Sequence, residues 1–402
     1  MKIGILTHCL ATNYGANLQA LSTAYYLRNH GYEPFFFNWN VYLDEVNSKM
    51  IHEQVSMHTS ILQRHSFEVS EPCISSNDFR KVILEKEIRN IIVGSDAVLT
   101  VKPFLDSISI SRKGIKWGPP ADYTFPNPFW AVFLDGFEYD VKTFLMSPSC
   151  QSSNYKMLSR WIKRKMSYQL NNFSFLSARD TYTQQMICDI AHINPLSVPI
   201  TPDPVWNFNE NVGMLIPTKN ELLAKYGVET DNYILVSFYP ERIKKTNILK
   251  ELEMEASKRG YYLYFIPMPQ DNTEKDIRMI SLPIDSLDYY ALIKYSKGYI
   301  GNNMHPVICA IHNQVPFVSI DQHGKWYLHG IFQDASSSKV YDLLSRFDLN
   351  DHRINQVDLK KISSRSIFDL LVTTDINKLG HMNSILGEEY HNMMKKITSQ
   401  FL

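Results

Sequence analysis

The residue best placed for proton transfer is His305, at the start of a predicted helix. It follows a short apolar segment, residues 299–301, and precedes Pro306, a residue type favoured at the first position of a helix. Free backbone N–H groups and a partial positive charge at a helix N-terminus suit a phosphate or a carboxylate. A histidine there could exchange a proton near neutral pH. Position alone favours the simpler alternative, a histidine that caps its own helix.

Polar clusters also follow four other predicted strands. Arg179, just before a helix, could grip an anion with both arms of its guanidinium, although a surface ion pair with Asp180 or a neighbour is the simpler reading. The turn Gly94-Ser95-Asp96 could bind a sugar hydroxyl or a phosphate, or merely cap the next segment. Because ligands of open parallel sheets bind beyond the carboxyl ends of the strands, we expect one polar site. Its members would be the turn at residues 7–15 with Asn13, Tyr14 and Gly15, the turn with Ser95 and Asp96, Ser149, Arg179, and the run Asn302, Asn303 and His305.

Composition and missing motifs narrow the chemistry. The 402 residues carry 41 Lys+Arg and 41 Asp+Glu, so the formal net charge is zero, which argues against a nucleic-acid partner. No GxGxxG motif follows the first strand, and the sequence has no GxxxxGK[ST] or HExxH motif, so dinucleotide, Walker-type and zinc-peptidase sites are not indicated. The five cysteines are scattered without a CxxC pair, which suits a reducing compartment.

Short apolar segments alternate with amphipathic segments along the chain, which is typical of a parallel sheet with crossover helices. The first forty residues contain a strand at 3–7, a helix from about Asn17 to the C-capping Gly31, and a strand at 35–39. A second series begins with a strand at 233–238. We therefore predict an α/β protein with two Rossmann-like domains, parallel sheets and a GT-B-like arrangement, with the active site in the cleft between the domains.

The predicted domains are residues 1–205 and 232–379, joined by a linker at 206–231 that prolines and glycines punctuate. A C-terminal helix at about 380–402 is expected to pack back on the first domain. The long segment at 101–137, rich in proline and aromatic residues, is either a functional lid or a surface excursion held down by its own rings.

The sequence begins with a strand, without a signal peptide, and contains no apolar run of about 20 residues, so we expect a soluble, cytoplasmic protein. Basic residues around Arg160, Lys163, Arg164 and Lys165 are most simply a solvated helix face. They leave open a contact with an anionic lipid carrier, and hence a peripheral position at the inner face of the membrane.

Taken in order, several short motifs resemble the polysaccharide pyruvyl transferase family nearly end to end. The run NYGANLQA at 13–20 is similar to the family's "NYGA.LQA" start, and VGSD at 93–96 to its "VGSDQVW" signature. Ser149 matches a serine that often follows a strand there. SARD at 177–180 resembles its "SxRD" or "SxRE" turn, DPV at 203–205 its "DPV" segment, and residues 295–317 its "SFHG" or "RLHA" stretch followed by "PF".

The chain departs from the family pattern at four positions. Ala97 and Leu99 stand where relatives have Gln and Trp, Asn303 where some have Arg or Ser, and Pro306 where they have a small residue. If that arginine grips an anion in relatives, another cation must do so here. The candidates are Arg242, Lys244 and Lys245, after the strand at 233–238.

The resemblance implies transfer of pyruvate from phosphoenolpyruvate to two hydroxyls of one sugar, which forms a cyclic ketal and releases phosphate. It implies His305 as general acid/base and Arg179 as the clamp for the donor's anionic groups. Asn13, Tyr14, Gly15, Ser95, Asp96, Ser149, Asn302 and Asn303 would line the site, and the loop at 117–130 would grip the acceptor, a free or lipid-linked sugar. No metal or cofactor is required if cations and a helix N-terminus supply the positive field. The alternatives are a GT-B glycosyltransferase that uses a nucleotide sugar and a non-catalytic glycan-binding relative.

Overall fold

The computed structural model describes residues 1–9, 13–39, 49–102, 109–111, 114–116, 121–151, 153–238, 247–267, 277–321, 325–327, 332–334 and 338–402. Within these ranges two parallel sheets, each with helices on its faces, organise the chain. No helix of this part of the chain is long and apolar enough to cross a membrane.

The first sheet has six strands, all parallel, in the order β3-β2-β1-β4-β7-β8. Its strands are β1 (Lys2–Leu6), β2 (Glu33–Asn38), β3 (Glu68–Pro72), β4 (Asn90–Asp96), β7 (Lys142–Pro148) and β8 (Phe175–Leu176). A small antiparallel pair, β5 (Ser109–Ser111) and β6 (Gly114–Lys116), lies between β4 and β7 in the chain. The helices are α1 (Tyr14–Asn29), α2 (Lys49–Thr59), α3 (Ile61–Arg64), α4 (Ser76–Glu85), α5 (Arg160–Asn171) and α6 (Thr181–Ala191).

The second sheet has five parallel strands in the order β10-β9-β11-β12-β15. They are β9 (Tyr233–Ser237), β10 (Tyr262–Phe265), β11 (Gly298–Gly301), β12 (Phe317–Asp321) and β15 (Arg353–Asn355); β13 (Lys325–Tyr327) and β14 (Phe332–Asp334) form an antiparallel pair. The helices from the connecting segment onward are α7 (Phe208–Val212), α8 (Lys219–Tyr226), α9 (Ile248–Lys258), α10 (Ser286–Tyr295), α11 (Met304–His312), α12 (Lys339–Ser345), α13 (Ser364–Val372) and α14 (Ile376–Thr398).

The two halves share one hydrophobic core, which runs from α1 across to α10, α11 and α14. Tyr14 stacks on Tyr289, with ring centroids 4.1 Å apart and 4° between the ring planes. Beside this stack, the Asn17 side-chain amide donates to His58 Nδ1 (2.6 Å) and lies 3.3 Å from Ser286 Oγ. Buried polar contacts of this kind fix one arrangement of the packed halves, because each polar group would be costly to leave without its partner.

The C-terminal helix α14 returns to the first sheet. Ser147 Oγ at the end of β7 lies 3.2 Å from Met393 Sδ, and Lys142 Nζ donates to the carbonyl of Gln400 (2.9 Å). The buried face of α14 repeats at helical spacing, with Leu379, Met382, Leu386, Tyr390 and Met393. The last element of the chain therefore ties the second half to the first.

Candidate active site

Both sheets reverse their strand order at a point where the chain carries polar side chains. In the first sheet the reversal lies between β1 and β4, where Thr7 follows one strand and Asp96 ends the other; in the second it lies between β9 and β11, which Asn302 follows. The crevice beyond such a switch point is where open α/β sheets bind ligands, because the helices on either side diverge there. Residues beside the two crevices contact each other, because His305 after β11 packs against Gly15 after β1 and lies 3.5 Å from Asp203.

The charged centre of this region is Asp203, whose side chain is fully buried. Its Oδ2 atom accepts a hydrogen bond from Arg179 Nη1 at 2.8 Å and another from the Gln19 side-chain amide, and it lies 3.5 Å from His305 Nε2. Its Oδ1 atom accepts from the backbone N–H of Val205 at 3.0 Å. Arg179 and His305, predicted to share a site, thus meet at one carboxylate oxygen that belongs to the protein.

Arg179 retains donors beyond this ion pair. Nη2 lies 3.8 Å from Asp96 Oδ1, and neither Nε nor Nη2 forms a hydrogen bond with a residue the structure describes. The guanidinium is almost fully buried, so it is not part of a surface ion pair. A buried donor without a partner is costly to maintain in a folded protein, and this arrangement could bind an anion.

His305 is pressed against the first turn of α1. A methyl group added at Gly15 would lie 2.1 Å from His305 Nδ1, so only glycine leaves room for the imidazole. His305 Nε2 lies 3.5 Å from Asp203 Oδ2 and is buried without a hydrogen bond to a described residue. The N-termini of α1 and α11 therefore meet around the imidazole, one from each half of the protein.

The carboxylates of the cluster are held in their charged forms. Burial alone would raise the pKa of Asp96, but His305, Arg179, His8 and Lys339 outweigh it and lower that pKa below its ordinary value. Burial also opposes ionisation of Asp203, yet the contacts with His305 and Arg179 and the Val205 N–H bring its pKa far below the usual range. Asp96 adopts a left-handed backbone conformation (φ 82°), which is uncommon outside glycine and is found most often at functional sites.

Lys339, the first residue of α12, brings a cation from the second half. The α12 helix contacts the start of α6 through Asp342, whose carboxylate lies 3.4 Å from the backbone N–H of Thr181. Burial and the neighbouring charge of Arg179 lower the pKa of Lys339 to about 8, although Asp96, Asp180 and Asp203 act in the opposite direction. Its ammonium group is thus charged at neutral pH, and it interacts electrostatically with Arg179 and with the same carboxylates.

Two of the predicted site residues make internal contacts instead. Ser95 Oγ donates a hydrogen bond to the carbonyl of Ser147 (2.7 Å). The same Ser95 Oγ lies 3.4 Å from Gln19 Nε2. Ser149 Oγ donates to Asp180 Oδ2 (2.9 Å), at the N-cap of α6. Both serines are buried, so the contacts that they form fix the strand ends that carry Asp96 and Arg179.

The four remaining polar residues of the two turns differ in their contacts. Asn13 caps α1 by accepting from the N–H of Gly15 (2.9 Å), and the Tyr14 hydroxyl is buried without a hydrogen-bond partner among the described residues. Asn302 is also buried, and its Oδ1 atom accepts no hydrogen bond from a described residue. Asn303 occupies the N-cap of α11, but its side chain forms no capping hydrogen bond. Asn303 is therefore not engaged in the usual capping role of asparagine.

Arg242 and Lys244, predicted as replacement cations, and Lys245 lie outside the described residues, as do residues 117–120 of the aromatic loop. The described end of that loop packs into the first domain. Trp130 is fully buried and contacts Phe125 edge to face (centroids 5.4 Å apart). The interpretation of a segment held down by its own rings therefore applies to Trp130, which cannot reach an acceptor.

Sequence reasoning missed three members of the cluster: Asp203, Gln19 and Lys339. Asp203 and Gln19 stand inside the DPV and NYGANLQA motifs, so membership in an ordered motif was the signal that could have identified them. Lys339 follows a run of serines and belongs to no motif, so only the contact between α12 and α6 identifies it.

Solved structures with the same fold cover nearly the whole chain. They include UDP-GlcNAc 2-epimerase from Methanocaldococcus jannaschii, at 9% identity, with 96% of this chain and 100% of that chain covered and a TM-score of 0.56. UDP-N-acetylglucosamine 2-epimerase from Rickettsia bellii is 10% identical, with 100% and 96% covered and a TM-score of 0.56. UDP-GlcNAc 2-epimerase from Neisseria meningitidis, bound to UDP-GlcNAc, is 10% identical, with 98% and 100% covered and a TM-score of 0.51. At such identities the likeness concerns the fold alone, and it confirms the predicted GT-B-like α/β architecture.

The sequence itself identifies the family. No curated protein matches the chain significantly. The polysaccharide pyruvyl transferase family profile, however, matches residues 13–324, a span that includes Gly15, Asp96, Arg179, Asp203 and His305. Most of the chain, with nearly all of the charged cluster, is thus covered by one family, and the protein belongs to the polysaccharide pyruvyl transferase family.

Proposed function

We propose that this protein transfers pyruvate from phosphoenolpyruvate to two hydroxyls of one sugar, in a polysaccharide or glycan precursor, and releases phosphate. Membership in the family supports the reaction class. The observation that carries the assignment is the meeting of Arg179 and His305 at one oxygen of Asp203, at 2.8 and 3.5 Å, beside the switch points of both sheets.

The donor carries a carboxylate and a phosphate, so its site must offer positively charged groups. Some of these groups must not be fully paired with carboxylates of the protein. Arg179 Nη1 is committed to Asp203, which leaves Nε and Nη2 for the donor. Lys339 supplies a second positive charge, whereas the neutral side chain of Asn303 supplies none. The N-termini of α1 and α11 add backbone N–H groups on either side. In this proposal Lys339 takes the place of the arginine that some relatives carry at the position of Asn303.

The chemistry requires an acid at the methylene carbon of the donor. We assign this role to His305, whose buried Nε2 atom lies 3.5 Å from the Asp203 carboxylate, a contact that can orient the imidazole for proton transfer. Protonation forms the methyl group and makes the adjacent carbon electrophilic, and two C–O bonds to the sugar form as the C–O bond to phosphate breaks. Of the two hydroxyl protons, one restores His305 and the other leaves with phosphate, so the reaction needs no redox partner.

On the acceptor side, we assign to the Asp96 carboxylate a hydrogen bond from a sugar hydroxyl, and the lowered pKa of Asp96 favours the ionised form that accepts it. Asn13, Asn302 and Asn303 offer amides at the edge of the same crevice. A lipid-linked acceptor and a location at the inner face of the membrane are parts of this proposal.

The test is phosphate release from phosphoenolpyruvate with a panel of glycan acceptors, with the ketal methyl group followed by NMR. His305→Ala should lose at least about 100-fold in kcat, the contribution expected of a general acid, while its thermal midpoint stays near that of the wild type. His391→Ala, on the exposed side of α14, is the matched control and should retain full activity. An undiminished rate in His305→Ala would contradict the assignment.

Ligand binding separates the alternatives. Thermal stabilisation by nucleoside diphosphates but not by phosphoenolpyruvate would favour a glycosyltransferase. Glycan binding without turnover of any acceptor would favour a non-catalytic relative, the alternative that the substitutions at Ala97 and Asn303 keep open.

A further inference from the structure

One face of α5 combines exposed aromatic rings with basic side chains that form no ion pair with a residue the structure describes. The helix sequence RWIKRKMSYQLN contains four basic residues and no acidic residue, in a protein whose formal net charge is zero. Trp161, Arg164, Lys165 and Tyr168 follow one another at helical spacing and form a single stripe. We call these four residues the α5 stripe.

The rings of the α5 stripe point into solvent instead of into the core. Trp161 is 62% exposed and Tyr168 is 59% exposed, and Met157 in the preceding turn is 72% exposed. The opposite face of the helix holds Met166 and Leu170 in the core. By contrast, Trp130 and Trp206 are buried. A contiguous exposed patch of this kind is more typical of an interaction surface than of a surface that meets only water.

A groove of about 560 Å³ runs alongside the α5 stripe. Phe125, Pro126 and Val132 form its apolar wall, and the four stripe residues form the other side. One carboxylate, Asp135, lies at its edge and is occupied by the Gln169 side-chain amide (2.8 Å to each oxygen). Lys165 also lies over the Trp161 ring, 4.1 Å from the ring centroid, which holds cation and aromatic ring together.

We propose that the α5 stripe docks this protein on a bilayer that contains anionic lipids. Basic side chains gain energy from the negative surface potential, and Trp and Tyr rings sit at the depth of the headgroups. Charge complementarity thus selects an anionic membrane surface. The proposal does not depend on the reaction assigned above.

The test is co-sedimentation of the full chain with vesicles of phosphatidylcholine alone or with about a third of phosphatidylglycerol. The wild type should bind only the anionic vesicles and should be released at about 1 M salt, where the Debye length falls to about 3 Å. Arg164→Gln/Lys165→Gln should lower the partition coefficient by about 30-fold, because each basic residue near the surface contributes about fivefold. Lys361→Gln/Arg365→Gln removes the same charge from exposed positions on the other half and should bind like the wild type.

Trp161 provides a direct readout. On addition of anionic vesicles its emission should shift to the blue, and Trp161→Phe should bind without that shift. Equal binding to neutral and anionic vesicles, no binding by folded wild-type protein, or an equal loss in the Lys361/Arg365 control would overturn the proposal. Self-association that Trp161→Ala abolishes, without vesicle binding, would also overturn it and would assign the stripe to a second copy of the chain.

Discussion

Replacing Gly15 by alanine should displace His305, the residue proposed as the general acid, while the fold is retained. The added Cβ would lie 2.1 Å from His305 Nδ1 and 2.2 Å from Cγ, whereas ordinary contacts begin near 3.4 Å. The imidazole must therefore move by more than about 1 Å, a misplacement that typically costs about 100-fold in rate, or about 2.7 kcal/mol of transition-state stabilisation. Gly15 lies in the first turn of α1 and does not have a positive φ, so alanine is compatible with the backbone there.

The measurement is kcat/KM for phosphate release together with the thermal midpoint. Alanine favours a helix by up to about 1 kcal/mol over glycine, so the midpoint should not collapse even though the rate does. Gly387→Ala in α14 is the matched control, because nothing lies within 4 Å of its added Cβ, and it should leave the rate unchanged. Wild-type kcat/KM in Gly15→Ala would refute the geometry, and global unfolding would refute the claim that the clash is local.

Three further variants probe the charges of the interior. Asp203→Asn leaves the buried Arg179 guanidinium without its counter-charge and should lower the free energy of unfolding by about 3 kcal/mol in urea titrations; a loss below about 1 kcal/mol would show that the pair is not what holds the cluster. Because Lys339 has a pKa of about 8, KM for phosphoenolpyruvate should rise above that pH as the ammonium loses its proton, and Lys339→Arg should abolish the rise; a rise of equal size in both proteins would assign the titration elsewhere. Burial lowers the pKa of His58 to about 4, so between pH 6.5 and 4 the unfolded chain binds a proton that the folded chain does not, and stability falls as the pH drops. Between these pH values the unfolding free energy of His58→Gln should change less steeply with pH than that of the wild type, by up to about 1.4 kcal/mol per pH unit. Equal slopes in the two proteins would contradict a neutral buried imidazole.

The architecture was predictable because it rests on local patterns. The strand at 3–7 and the strand before His305 are short apolar runs with polar residues at their carboxyl ends, and parallel sheets place such ends together. The fold followed from this alternation, and so did the expectation that Arg179 and His305 belong to one region. Their common contact, Asp203, could not be derived in this way. It follows Pro202 in an irregular segment, where no periodicity indicates which side chain faces inward.

Long-range contacts also decided which polar residues remain available. Ser95 and Ser149 follow strands as predicted, but their hydroxyls bond to Ser147 and Asp180, and neither pairing is visible in spacing along the chain. Lys339 becomes part of the cluster only because α12 meets the start of α6, a contact between residues about 160 positions apart. Local periodicity predicts the elements, whereas the electrostatics of the site depend on how those elements pack.

Asp203 is the common contact of side chains from both halves of the chain. Its Oδ2 atom contacts Gln19 from α1, Arg179 from the end of the first sheet and His305 from the second half. Burial alone would raise the pKa of this carboxylate, and the contacts with His305 and Arg179 outweigh that effect. Because His305 belongs to the second half of the chain and Arg179 to the first, the charge on Asp203 depends on how the two halves pack.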